Sequence, residues 1–389
     1  MKKLKYFLLF TFLSSGINAQ TFIPAYQSRA QQVSQTNINT LLQEFAGFGV
    51  KTTGSVANNN AFNWLKSKYQ SYGYANSQIS EDVFNYGNST SKNLIITKTG
   101  TVYPNTFVII CAHYDTVSGQ GVNDNGSGTS ILLEAARILK DVPTEYSVKF
   151  IHFSGEEQGL LGSSHYVNNV VFSNSMRQMN IKVVFNIDQV GGKIGNSNTH
   201  VTCESDQSGQ SGNNAASLSM TQQLATCTTL YSPLQTHMAH AYASDYMPFE
   251  NKGDIITGFY ERTRSYTEHS SNDTFANIDP VYVYNVGKAS VGALQHFAIA
   301  SSTLNSKEAK ISSLEKIKIY PNPTKNTINI EVPKDILEFK VELKDTTGRI
   351  ISTHENENKI DVSLLENGIY FCTLYFGQES ETRKIIIEK

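Results

Sequence analysis

Four short apolar runs, at 106–112, 148–153, 182–187 and 254–258, lead into clusters of acidic, imidazole and amide side chains. Apolar runs without polar alternation are the pattern of strands covered on both faces, as in a parallel sheet. Helical stretches lie between them. In 128–140, Ile131, Leu132, Leu133, Ala135, Ala136, Ile138 and Leu139 make an apolar stripe that is expected to pack on the sheet and to stop before Pro143. A second helix is expected over 280–300, and a third over 61–72, where the lone Trp64 reads as core. The expectation is an α/β unit over 20–305: a mixed, mostly parallel central sheet flanked by helices.

The polar clusters carry the chemistry. The first run ends in His113-Tyr114-Asp115, with Asn123-Asp124-Asn125-Gly126-Ser127-Gly128 opening the helix behind it. The second gives Gly155-Glu156-Glu157-Gln158-Gly159 and the third Asn186-Ile187-Asp188. A segment beyond the fourth gives Glu268-His269-Ser270-Ser271-Asn272-Asp273-Thr274. Ligands of open α/β sheets bind outside the carboxyl ends of the strands, so these groups should converge on one crevice. Two imidazoles with several carboxylates suit Zn²⁺. Carboxylates so crowded also need cations between them to stay ionised. Two divalent metals roughly 3.5–4 Å apart, bridged by one carboxylate and a water, fit the count, with Asp124 as the natural bridge.

The order and spacing of HYD, NDNGSG, SGEEQGLLGS, NIDQVG and EHSSNDT resemble the di-zinc aminopeptidases of peptidase family twenty-eight, typified by bacterial leucyl aminopeptidases. The resemblance covers about 37–300 and implies a zinc-peptidase-like fold. It makes His113 and Asp188 the terminal ligands of one zinc, Glu157 and His269 those of the other, and Asp124 their bridge. Glu156 would be the general base, and Asp115 would hold His113 by a hydrogen bond. Asp273 is expected to support the His269 loop. Gln189 and Glu268 stand where many relatives carry Met and Tyr, which bears on side-chain preference. Residues 244–249, with Tyr260 and Tyr266, resemble pocket-lining segments. The implied activity is removal of N-terminal residues from peptides with free N-termini. Two alternatives stand beside it: a glutaminyl-peptide cyclotransferase on the same scaffold, which uses one zinc, and a non-catalytic surface adhesin that has kept the fold. A decayed enzyme would be expected to lose Glu156 or a ligand, and the sequence has lost none.

The end of the chain is different in kind. Of 66 charged residues, 27 fall after position 306, so charge density more than doubles there. Short alternating runs at 317–320, 327–332, 340–344, 348–352, 368–376 and 383–388, punctuated by Pro321, Pro323, Gly348, Gly368 and Gly377, read as a small β-sandwich over 316–389 joined by a linker at 306–315. Tyr320-Pro321-Asn322-Pro323, Asp345-Thr346-Thr347-Gly348-Arg349, Asn367-Gly368-Ile369-Tyr370 and the final Lys384-Ile385-Ile386-Ile387-Glu388-Lys389 resemble the C-terminal sorting domain of type IX secretion substrates. That resemblance implies the secretion machinery as a partner. At the other end, Lys2, Lys3 and Lys5 precede an apolar run and small residues ending at Ala19, the pattern of a signal peptide over 1–19. The expected destination is the cell surface or the medium, by way of the periplasm.

Other classes are disfavoured. With 32 Lys and Arg against 34 Asp and Glu, the net charge of −2 offers no electrostatic footprint for nucleic acid. No run is long enough to span a bilayer as a helix. Four cysteines do not make a disulfide framework, but Cys203 and Cys227 flank a polar loop and are read as one bridge, against the alternative of two free thiols. Cys111 and Cys372 read as small hydrophobes. His152, inside an apolar run, reads as a core residue, and His165, His200, His237, His240 and His296 match no ligand motif.

Overall fold

The computed structural model describes residues 20–207, 212–304, 317–332, 338–376 and 379–389. The expected signal peptide and the linker at 306–315 lie outside the described residues. The chain divides into two compact units, Met1–Ser302 and Thr303–Lys389.

The first unit is built on an eight-stranded sheet. Its strands are β1 (Ile79–Tyr86), β2 (Ser89–Lys98), β3 (Tyr103–His113), β4 (Tyr146–Phe153), β7 (Asn180–Ile187), β8 (His200–Ser205), β9 (Gln235–His240) and β10 (Ile256–Glu261). A two-strand ladder of β5 (Phe172–Ser173) and β6 (Met176–Arg177) stands apart. The spatial order is β1-β2-β4-β3-β7-β10-β8-β9. The four central strands β4, β3, β7 and β10 run parallel, while β1, β2 and β8 make antiparallel pairs. The central strands carry the mostly apolar runs, of which 108–112 and 183–187 are buried throughout. The chain passes from β3 to β4 on one side and returns to β7 on the other, so the sheet has its switch point beside β3. That is where a crevice opens outside the strand ends.

Among the described residues, eight α-helices accompany the sheet: α1 (Pro24–Ala30), α2 (Gln35–Ala46), α3 (Val56–Ser71), α4 (Gly128–Leu139), α5 (Leu161–Tyr166), α6 (Asn214–Tyr231), α7 (Met247–Glu250) and α8 (Pro280–Ala298). α4 buries the whole expected stripe from Ile131 to Leu139. The N-termini are capped from the sequence. Ser34 accepts the N–H of Asn37 and Ser55 that of Asn58, while Asp279 accepts those of Val281 and Tyr282 just before Pro280. Trp64 is half-buried on α3, not core, and its indole N–H donates to the Glu44 carboxylate at 2.7 Å. The large α3 residues that are fully covered are Phe62, Leu65 and Tyr69, on the opposite face.

Two further expectations are corrected here. Cys203 on β8 and Cys227 on α6 are buried as free thiols. Burial pushes both up, Cys227 to about 12, which keeps the protonated, unreactive form. β10 ends at Glu261 rather than 258, because Phe259, Tyr260 and Glu261 continue to pair with β8, a strand the sequence pattern did not reveal. His152 is buried as expected; its Nε2 lies 2.8 Å from the Tyr69 hydroxyl.

The second unit has a three-stranded antiparallel sheet, β11 (Lys318–Tyr320), β12 (Thr327–Glu331) and β15 (Lys359–Asp361). A four-stranded one contains β13 (Lys340–Lys344), β14 (Ile350–Glu355), β16 (Gly368–Phe376) and β17 (Glu379–Ile387). Ile328, Ile330, Val341, Leu343, Ile360, Cys372, Leu374, Ile385 and Ile387 form one core, the alternating positions of both sheets. Gly348 sits in a turn at φ +87 and β14 starts only after it.

Candidate metal centre

His113 is the last residue of β3, and its Nε2 lies 3.1 Å from Asp124 Oδ1 and 3.4 Å from Asp188 Oδ1. Asp188 follows β7. Its backbone N–H donates to the Phe259 carbonyl on β10, and its Oδ2 accepts the Ser244 hydroxyl at 2.7 Å. Asp124 lies in the turn Val122–Ser127 that leads into α4. On its other side, His269 Nε2 is 3.2 Å from Asp124 Oδ2 and 2.8 Å from Glu157 Oε2. The five residues therefore form two groups that share Asp124: His113, Asp124 and Asp188, and Asp124, Glu157 and His269, each with donor atoms within 4.8 Å of one another.

These residues fit bound zinc. Asp124 Oδ1 and Asp188 Oδ1 are buried oxygens that accept no hydrogen bond, a costly arrangement unless a cation faces them. The nitrogen and oxygen atoms stand 2.8–3.4 Å apart, and ligands at about 2.0 Å from a tetrahedral zinc are about 3.3 Å from each other. Charge points the same way. Burial first, with Asp188, Asp245 and Asp115 adding and His113 opposing, pushes Glu156 up to about 10. Burial and Asp124 raise Glu157 to about 8. Asp124, although buried, falls to about 2 because two imidazoles face it. Carboxylates this crowded hold their charges together only with cations among them.

The surrounding side chains fix this arrangement. The Asp115 carboxylate accepts the N–H groups of Glu156 and Glu157, both at 3.3 Å, and the Thr53 hydroxyl at 3.2 Å. It thus anchors the turn after β4. Toward His113 Nδ1, the Asp115 carbonyl oxygen is nearer, at 3.2 Å, than the carboxylate at 3.6 Å. Asp273 holds the Asp124 turn, its two oxygens accepting the N–H groups of Asn123 at 2.6 Å and Asp124 at 2.9 Å. The Gln189 amide donates to Asp124 Oδ2 at 3.0 Å and accepts the Tyr260 hydroxyl at 2.9 Å. The expectation that 244–249 lines a pocket is corrected: Tyr246 and Phe249 are buried in the core with Phe153 and Tyr166, and Asp245 is fully buried. From that segment the Ser244 hydroxyl reaches the centre, donating to Asp188. Tyr266 is 76 % exposed. Glu261, which the motif reading passed over, is buried beside Asn123 and accepts its amide.

Residues 93–293, more than half of the chain, match Peptidase family M28. The chain belongs to that family. Residues 318–388 of this M28 chain match the secretion system C-terminal sorting domain. Aminopeptidase YwaD of Bacillus subtilis is 47% identical over 108 residues, which cover 27% of this chain and 23% of that protein. The chain thus spans about a quarter of that curated relative's length. Among solved structures, LapA aminopeptidase of Legionella pneumophila superposes with a TM-score of 0.62 at 20% identity, over 78% of this chain and 81% of that one. The glutaminyl cyclase of Porphyromonas gingivalis does so with 0.55 at 18%, over 68% and 98%. Both establish a shared fold. Among the described residues, no helix is long and apolar enough to cross a membrane.

Proposed function

We propose that this M28 chain is an exported zinc aminopeptidase with two zinc ions in its centre. The observation that carries this reading is the pair of ligand groups joined through Asp124, with Glu156 beside them. His113 and Asp188 would hold one ion, Glu157 and His269 the other, and Asp124 both. Zinc bound there would supply Lewis acidity, making a water acidic enough to lose its proton near neutral pH and polarising a carbonyl. Glu156 takes that proton and returns it to the leaving amine. Asp115 holds the turn that carries Glu156 and Glu157, which would leave Glu157 for the metals and Glu156 for the water. The exopeptidase part of the reading follows from the family, with acidic groups near the site to receive the substrate's free α-amine. The curated relative's name, an aminopeptidase, supports the same reading.

The tail's match to a sorting domain supports export to the surface or the medium, through the periplasm and with type IX secretion machinery as partner. The cyclase remains the second reading, because its fold is shared. Two complete ligand groups favour hydrolysis over cyclisation by one zinc.

A panel of aminoacyl chromogenic substrates with N-acetylated controls, and a peptide with N-terminal glutamine, tests the activity. Hydrolysis of free but not blocked substrates is expected. Equal cleavage of blocked substrates would mean an endopeptidase, and ring closure without hydrolysis a cyclase.

A further inference from the structure

The two ligand groups are anchored differently. His113 ends one central strand and Asp188 directly follows another, so the sheet itself positions them. His269 lies eight residues beyond β10, its side chain is 55% exposed, and its φ is +54. Some other device must hold the loop that carries it.

The loop is pinned at two points. Its far end is held by Asp273 on the N–H groups of Asn123 and Asp124. Its near end meets Glu261, the last residue of β10, which is only 2% exposed. Glu261 Oε1 accepts the Ser265 N–H at 2.6 Å, Oε2 accepts the Gly192 N–H at 2.9 Å, and both oxygens receive the Asn123 amide at 3.3 Å. Its own N–H donates to the Gln189 carbonyl. The Asn123 amide also donates to Ser265 Oγ at 2.8 Å, and its oxygen accepts the Gly191 N–H at 2.6 Å. One carboxylate thus joins the segments that carry Asp124, Asp188 and His269.

We propose that Glu261 is a positioning residue for the second zinc, the one held by Asp124, Glu157 and His269. The proposal rests on the two-metal reading given above. Asp124 and Asp188 have independent anchors, in Asp273 and in β7 with Ser244, whereas the near end of the His269 loop has Glu261. Replacing the carboxylate with an amide puts an NH₂ donor where a backbone N–H already points, so one of the three segments must let go. The Asn123 and Gly192 segments keep further hydrogen bonds, Asn123 N–H to Asp273, Val190 N–H to Ser127 Oγ and the Asp279 N–H to the Gly191 carbonyl, so the near end of the loop is the part that shifts.

The test is zinc affinity. Full-length protein stripped by a chelator is titrated with zinc against a chromogenic competitor, comparing wild type, Glu261→Gln and the milder Ser265→Ala, which removes only the hydroxyl that accepts from Asn123. Outer hydrogen-bond partners of ligands are worth about 10–100-fold in metal affinity. The expected result for Glu261→Gln is one site weakened by about that factor and the other within about threefold of wild type. Ser265→Ala should weaken the same site by a smaller factor, and keeps the test available if Glu261→Gln does not fold. Equal weakening of both sites, or of neither, overturns the positioning role while leaving the two-metal reading intact. Wild type that binds one zinc or none overturns that reading itself, and this proposal with it.

Discussion

Changing Glu156 to Gln separates the proton carrier from the metal shell. Gln is nearly isosteric, and the contact that fixes the turn is the backbone N–H of residue 156 on Asp115, which the substitution does not touch. The site should therefore keep its shape. What is lost is a carboxylate whose burial, reinforced by Asp188, Asp245 and Asp115 and opposed by His113, gives it a strong hold on a proton. If Glu156 shuttles the proton from water to amine, its removal should cost about 10²–10⁴ in kcat, the usual worth of a positioned acid–base group. That is about 3–5 kcal/mol of barrier. The assay is hydrolysis of an aminoacyl p-nitroanilide with zinc content measured on the same samples. KM should stay within about threefold and zinc content should not change. The companion Glu157→Gln, whose carboxylate lies 2.8 Å from His269 Nε2, should instead release metal. A loss below about tenfold in Glu156→Gln, or a loss that tracks missing zinc, would refute the assignment.

Other expectations follow from the same structure. His152 is held at about 3 by burial alone, so it is neutral when folded and regains a proton only on unfolding; stability is lost as pH falls below its unfolded value of about 6.5. Between pH 7 and 4.5 this amounts to about 2.5 kcal/mol, read as a drop in the urea midpoint that His152→Gln should largely abolish; equal pH dependence in the variant would contradict it. Cys203 and Cys227 are thiols, so a reducing agent should leave Tm unchanged, and a clear fall would reveal a bridge. Removing residues 303–389, a separate compact unit, should leave kcat/KM intact while abolishing export; unchanged export would refute the sorting role.

The central strands were legible because covering both faces calls for largely apolar runs, and the ligand motifs because they sit where those runs stop. β8 was hidden by its composition: His200, Thr202, Glu204 and Ser205 alternate with only Val201 and Cys203, and Glu204 is tolerated because the Tyr246 hydroxyl meets it at 2.8 Å. Missing β8 cut β10 short at 258, and that removed Glu261 from view. Had the strand been carried to its end, the rule that exposed His113, Glu156, Glu157 and Asp188 would have exposed Glu261 too. Tyr246 and Phe249 mislead in the other direction. Their aromatic rings resemble pocket walls in sequence, yet the turn into α7 places both in the core, a tertiary choice that no local pattern records.

The central claim is that five side chains gather two zinc ions. Diffraction from crystals of the purified protein, collected at the zinc absorption edge, tests it most directly. Two anomalous peaks are predicted, each about 2 Å from its ligand atoms: one among His113, Asp124 and Asp188, the other among Asp124, Glu157 and His269. Peaks elsewhere, or zinc-replete crystals with no peak beside Asp124, would contradict it.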